Sequence, residues 1–84
     1  MSKTASVRVG EDEYSISRDE ILAVAEREAP RRVNAYFVEI DGRRYPPKQL
    51  VRSATGTTRP FVTAVAVRAL RALGFEVVAM PGTS

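Results

Sequence analysis

The stretch Ala35-Tyr36-Phe37-Val38-Glu39-Ile40-Asp41-Gly42-Arg43-Arg44-Tyr45-Pro46-Pro47-Lys48 decides the fold. From Ala35 to Ile40 the chain is rich in aromatic and β-branched side chains, which suit a half-buried pleated surface. Asp41-Gly42 follows, and glycine accepts the positive φ that a two-residue hairpin turn demands. Arg43-Arg44-Tyr45 is therefore the returning strand. Pro46-Pro47 ends the pairing, because proline has no N–H to give a ladder, and it opens a helix, whose first turn tolerates proline. That helix is expected over Pro47 to Ala54, with Leu50, Val51 and Ala54 facing inward and Gly56 as its C-terminal cap. Lys48 and Arg52, four residues apart, share its outer face.

Upstream, Val7-Arg8-Val9 and Tyr14-Ser15-Ile16 alternate on either side of a polar turn, Gly10 to Glu13, and read as a hairpin or two short strands. Ser17 stands three residues before Glu20, the spacing of a capping box, and Asp19 with Glu20 suits the positive end of a helix. A helix is expected from Arg18 to Ala29, with Ile21, Leu22, Val24 and Ala25 inward, stopped by Pro30. Downstream, Thr57-Thr58-Arg59-Pro60 reads as a helix start. The third helix is expected over Pro60 to Leu73, with Val62, Val65, Ala66, Ala69, Leu70 and Leu73 as its apolar body. Its one polar stripe holds Arg68 and Arg71 beside Ala64. Gly74 caps it, and Phe75 to Ala79 is the last strand. The expected class is α+β: a small antiparallel or mixed sheet packed with two longer helices and one short helix. Residues 1–84 form one domain in this reading, with 1–4 and 80–84 as frayed tails.

Composition removes whole classes of chemistry. The chain has no cysteine and no histidine. Disulfide frameworks, thiolate metal sites and Ser–His relays are thereby excluded, along with the commonest general base near neutral pH. Glu11-Asp12-Glu13 lacks the alternating ligands and the glycine of a calcium loop, so no metal and no cofactor is expected. Glu39 and Asp41 fall on one strand face without a nucleophile beside them, and Gly56-Thr57-Thr58 lacks the spaced glycines and lysine of a phosphate loop. The reading is non-enzymatic. No apolar run reaches the length of a membrane span, and Met1-Ser2-Lys3-Thr4 has no apolar signal core, so a cytoplasmic location without membrane contact is expected.

The charge is sorted along the chain. Residues 1–42 hold six Lys/Arg against nine Asp/Glu, a balance of −3, whereas residues 43–84 hold seven against one, a balance of +6. Arginine outnumbers lysine eleven to two, a ratio that phosphate recognition favours and that gene base composition alone also produces. Arg43, Arg44, Lys48, Arg52, Arg59, Arg68 and Arg71 are the candidate nucleic-acid contacts, with Thr57 and Thr58 as secondary ones at a helix N-terminus. Double-stranded DNA backbone is the favoured ligand. The rival reading is a protein-interaction or self-associating module, since oppositely charged halves can pair between copies.

The residues Tyr36-Phe37-Val38-Glu39-Ile40-Asp41-Gly42-Arg43-Arg44-Tyr45-Pro46-Pro47-Lys48-Gln49-Leu50-Val51, then Ala54-Thr55-Gly56, then Leu70-Arg71-Ala72-Leu73-Gly74-Phe75-Glu76-Val77 carry a resemblance. They are similar to the small N-terminal head module of HNH-type, modification-dependent restriction endonucleases and related bacterial defence proteins. The resemblance covers half the chain, implies a DNA-associated accessory module rather than a catalytic one, and draws attention to Tyr45, Pro46, Pro47 and Lys48. Two features depart from it. The chain lacks the histidines an HNH nuclease needs, and Thr57-Thr58-Arg59-Pro60-Phe61 replaces a glycine-rich segment.

Overall fold

Strand β1 (Thr4–Val9) pairs antiparallel with β2 (Asp12–Ser17), and the computed structural model describes the chain over residues 3–33 and 35–80. Ser17 ends β2 and caps helix α1 (Arg18–Arg27) in the same step. Its hydroxyl accepts from the Glu20 amide at 3.1 Å, and its own amide donates to the Glu20 carboxylate at 3.0 Å. The capping box read from sequence is thus present. Strand β3 (Tyr36–Ile40) and β4 (Arg43–Tyr45) form the second hairpin, turning at Asp41 (φ 52°) and Gly42 (φ 77°), both left-handed as a tight turn of this hand requires. Then follow α2 (Pro47–Thr55), α3 (Thr63–Ala72) and β5 (Val77–Ala79).

The class is α+β. The single sheet expected from the sequence is two: β1-β2, and a separate three-stranded antiparallel sheet in the order β4-β3-β5. β5 pairs with β3 on the side away from β4, with Val77 opposite Val38. Helix α3 packs against both β1 and β5, so a helix and not a ladder joins the two sheets. The core is continuous across them. Val7, Val9 and Ile16 from the first hairpin meet Ile21 and Val24 of α1, Leu50 and Val51 of α2, Leu70 and Leu73, and Val38 with Tyr45 of the second sheet.

The helices differ from their expected lengths for identifiable reasons. α1 stops at Arg27 and not Ala29, because Glu28 is already extended (φ −121°, ψ 140°) and Ala29 precedes a proline. α3 starts at Thr63 and not Pro60. The segment before it is extended so that Phe61, 7% exposed, can reach the core, and this turns Val62 outward at 65% exposure. Val62 is therefore no part of the apolar body expected of it. The helices are 10, 9 and 10 residues long, so the division into two longer and one short disappears. Gly56 (φ 73°) ends α2 as expected, its amide donating to Arg52 O at 2.8 Å.

The ends of the described chain are held by backbone bonds. Arg18 donates to Lys3 O at 2.9 Å, Thr4 pairs with Ser17, and Met80 donates to Ala35 O at 2.7 Å. Pairing thus reaches residues 3, 4 and 80, which the sequence reading assigned to fraying tails. Residues 1–2 and 81–84 lie outside the described residues.

Candidate nucleic-acid interface

The second hairpin aims α2. Tyr45, 1% exposed, fixes where β4 meets the core, and Pro46-Pro47 then starts the helix at once, which sets the phase of every α2 side chain. That phase puts Lys48 and Arg52 one turn apart over the ring of Phe61. Lys48 Nζ lies 5.7 Å from the ring centroid and the Arg52 guanidinium carbon 5.3 Å from it. Both cations are positioned by an aromatic face while their charge stays outward.

A buried glutamine brings two further arginines beside them. Gln49, 8% exposed, accepts from the Arg31 amide at 2.8 Å and donates to Ala29 O at 2.9 Å and to Glu28 Oε1 at 3.1 Å. These bonds tie the segment after α1 to α2. An open groove of about 280 Å³ results, lined by Arg31, Arg32, Lys48 and Arg52 with Pro46, Gln49 and Ser53. Among the described residues no carboxylate lines it. A smaller cleft of about 100 Å³ continues from it through Arg32, Pro46 and Lys48 to Tyr36 and Thr63. A third, of about 520 Å³, is lined by Tyr36, Ala64, Val67, Arg68 and Arg71. Shared walls make these three one band, passing from four cations over Tyr36 to two more. Arg71 is held at its far end, where Nη2 donates to Val77 O at 3.4 Å.

Of the candidates named from the sequence, Lys48, Arg52, Arg68 and Arg71 lie on this band. The others do not. Alternation along β4 sends Arg43 and Arg44 to opposite faces. Arg43 lines a cleft of about 210 Å³ with Glu26 and Asp41, on the α1 side. Arg44 lies 4.0 Å from Glu39 and 4.6 Å from the Phe37 ring centroid. Arg59 pairs with Asp12 of the first hairpin at 3.5 Å. Thr57 is 5% exposed and its hydroxyl accepts from the Arg59 amide at 3.2 Å, so it closes a turn. Thr58 is exposed. Because α3 begins at Thr63, Thr57 and Thr58 do not flank free helix amides, and the anion-binding turn expected there is not a helix terminus.

Arg31 and Arg32 escaped the sequence reading because they belong to the acidic half. The sign that points to them is their adjacency to Pro30, where a helix must end and two neighbouring cations are thrown into a loop. Of the Tyr-Pro-Pro-Lys residues, Tyr45 and Pro47 are buried and serve the packing, Pro46 is half-buried, and Lys48 alone brings charge to the band.

The Glu28 carboxylate is bonded to two residues of the groove wall. Its Oε1 accepts from Ser53 Oγ at 3.0 Å as well as from Gln49. The Ser53 bond first, then the Gln49 bond, hold its carboxyl below the ordinary glutamate value of 4.5, with Arg27 and Arg31 adding attraction and burial opposing. A lowered folded pKa means stability that is present above the unfolded value and lost as pH falls through the folded one. Glu28→Gln is therefore expected to unfold at lower urea concentration than the wild type at pH 7. The difference should shrink as pH drops below 4.5 and vanish below the folded pKa. A difference that persists unchanged in acid would show that the charge is not the cause.

Among the described residues no group of three or more His, Cys, Asp or Glu side chains is placed to hold a metal ion, and no helix is long and apolar enough to cross a membrane. Comparison with protein-family models, curated proteins and solved structures finds no match to the chain.

Proposed function

We propose that the protein is a small, non-catalytic nucleic-acid-binding protein that grips the backbone of double-stranded DNA along the band from Arg52 to Arg71. One observation carries the reading: the connected clefts are walled by Arg31, Arg32, Lys48, Arg52, Arg68 and Arg71 and, among the described residues, by no carboxylate. Six cations from three separate segments converge there, although the chain as a whole is only +3. Guanidinium groups stay protonated at neutral pH and so do not serve as general bases, and the band suits holding phosphates and not acid–base chemistry. The likeness of the Tyr-Pro-Pro-Lys region to head modules supports an accessory or regulatory role beside a cytoplasmic restriction or defence enzyme.

Counterion release provides the test. If the six cations each meet a phosphate, log K for a generic duplex falls against log salt with a slope of about −5, or roughly a thousand-fold between about 50 and 200 mM salt. Fluorescence anisotropy with a labelled duplex measures this. Undetectable binding at low salt sinks the proposal, and concentration-dependent self-association without DNA retention would favour the protein-interaction reading instead.

A further inference from the structure

The two ends of the band differ in whether an aromatic ring is open to a ligand. The groove at Arg31, Arg32, Lys48 and Arg52 is completed by Pro46, Gln49 and Ser53, and its aromatic support, Phe61, is buried beneath the cations. The cleft between α3 and the start of β3 is the largest of the three, about 520 Å³, within the size range of small-ligand sites. Its lining combines Val67, 7% exposed, the short side chain of Ala64 and the half-buried ring of Tyr36 with two guanidiniums. Arg71 is anchored on Val77 O, and Arg68 makes no hydrogen bond or ion pair among the described residues.

We propose that this cleft receives one unpaired nucleotide, its base against Tyr36, Ala64 and Val67 and its phosphate on Arg68 and Arg71. The inference rests on the nucleic-acid reading above and specifies which part of the ligand the far end of the band takes. A phosphate alone has no use for an apolar floor and an aromatic wall. A flat apolar ring joined to an anion uses all of it. Intact duplex keeps its base faces in the stack, so its backbone meets the cations of the band and leaves Tyr36 unused. A strand with an unpaired base uses the cations and the apolar floor together.

The test compares a perfect duplex with the same duplex carrying a small bulge of unpaired thymidines, at low salt. The wild type is expected to bind the bulged form about ten-fold more tightly, within the range that base–aromatic stacking supplies. Tyr36→Phe should keep that preference and Tyr36→Leu should lose it. Ala64→Leu, at an exposed helical position that tolerates leucine, fills the cleft without touching the core and should also lose it. Free thymidine monophosphate as a competitor separates two sources of the same group. Removal of the preference assigns the cleft to any nucleotide, and persistence assigns it to one carried on a strand. Equal wild-type affinity for the two duplexes, or a preference that survives Ala64→Leu, overturns the inference and leaves backbone binding standing. Failure to bind either duplex overturns both.

Discussion

Charge reversal of Arg32 and Arg52 together (Arg32→Glu, Arg52→Glu) is expected to weaken duplex binding at about 50 mM salt by a hundred-fold or more. The magnitude follows from counterion release. Each phosphate contact contributes about 0.9 to the salt slope, so over the roughly twenty-fold dilution from 1 M its loss costs about ten-fold in affinity. Two contacts therefore give about a hundred-fold, and the introduced glutamates repel the backbone further. The slope itself should fall by about two. Both residues line the charged groove, and both are exposed, so the fold should survive the change. Arg59→Gln supplies the contrast. Arg59 is also an exposed arginine of the basic half, but it pairs with Asp12 of the first hairpin and lines none of the three clefts. Its loss should leave DNA affinity within about two-fold and stability within about 1 kcal/mol, as for exposed ion pairs generally. Equal losses per unit of charge removed, four for the double reversal and one for Arg59→Gln, would mean that net charge, and not the band, governs binding.

Tyr45→Ala should be the most damaging single substitution for folding. The side chain is 1% exposed at the junction of β4, α1 and α2, and truncating a buried aromatic costs about 3–5 kcal/mol. A domain of this length has a total stability of roughly 4–13 kcal/mol, so the variant should lie close to unfolding. Tyr45→Phe isolates the hydroxyl. That group lies 2.7 Å from Ala25 O and 3.1 Å from Glu28 O, two carbonyls at the end of α1 with no helical partner left to accept from. Its removal is expected to cost about 1–2 kcal/mol, read as a fall in Tm of several degrees by circular dichroism. A phenylalanine variant as stable as the wild type would show that water satisfies those carbonyls equally well. The position also explains why the Tyr-Pro-Pro-Lys stretch is informative. Tyr45 locks the end of α1, the prolines start α2 without delay, and Lys48 inherits its orientation from both.

Much of the fold was legible because it is written in short-range chemistry. The Ser17–Glu20 box, the Asp41-Gly42 turn, the proline-opened α2 and its Gly56 cap are each decided within four residues, and all are present. The start of α3 was misread for the same reason. Thr57 through Pro60 has the local form of a helix start, but burying Phe61 outweighs that preference and delays the helix to Thr63. The division into two sheets was not legible either, since whether β5 pairs with β3 or with the first hairpin depends on where α3 packs.

The candidate site divides along the same line. By itself the sequence determined α+β structure, the outward faces carrying Lys48 with Arg52 and Arg68 with Arg71, and a chain without histidine or cysteine chemistry. Only the tertiary structure decided which cations stand together. It set Arg43, Arg44 and Arg59 beside acidic residues and carried Arg31 and Arg32 out of the acidic half onto the band. The reason is physical. Helical phase is fixed by neighbours in the chain, but charges attract or repel by distance in space, and here that distance is set by a buried glutamine joining residues 18 positions apart.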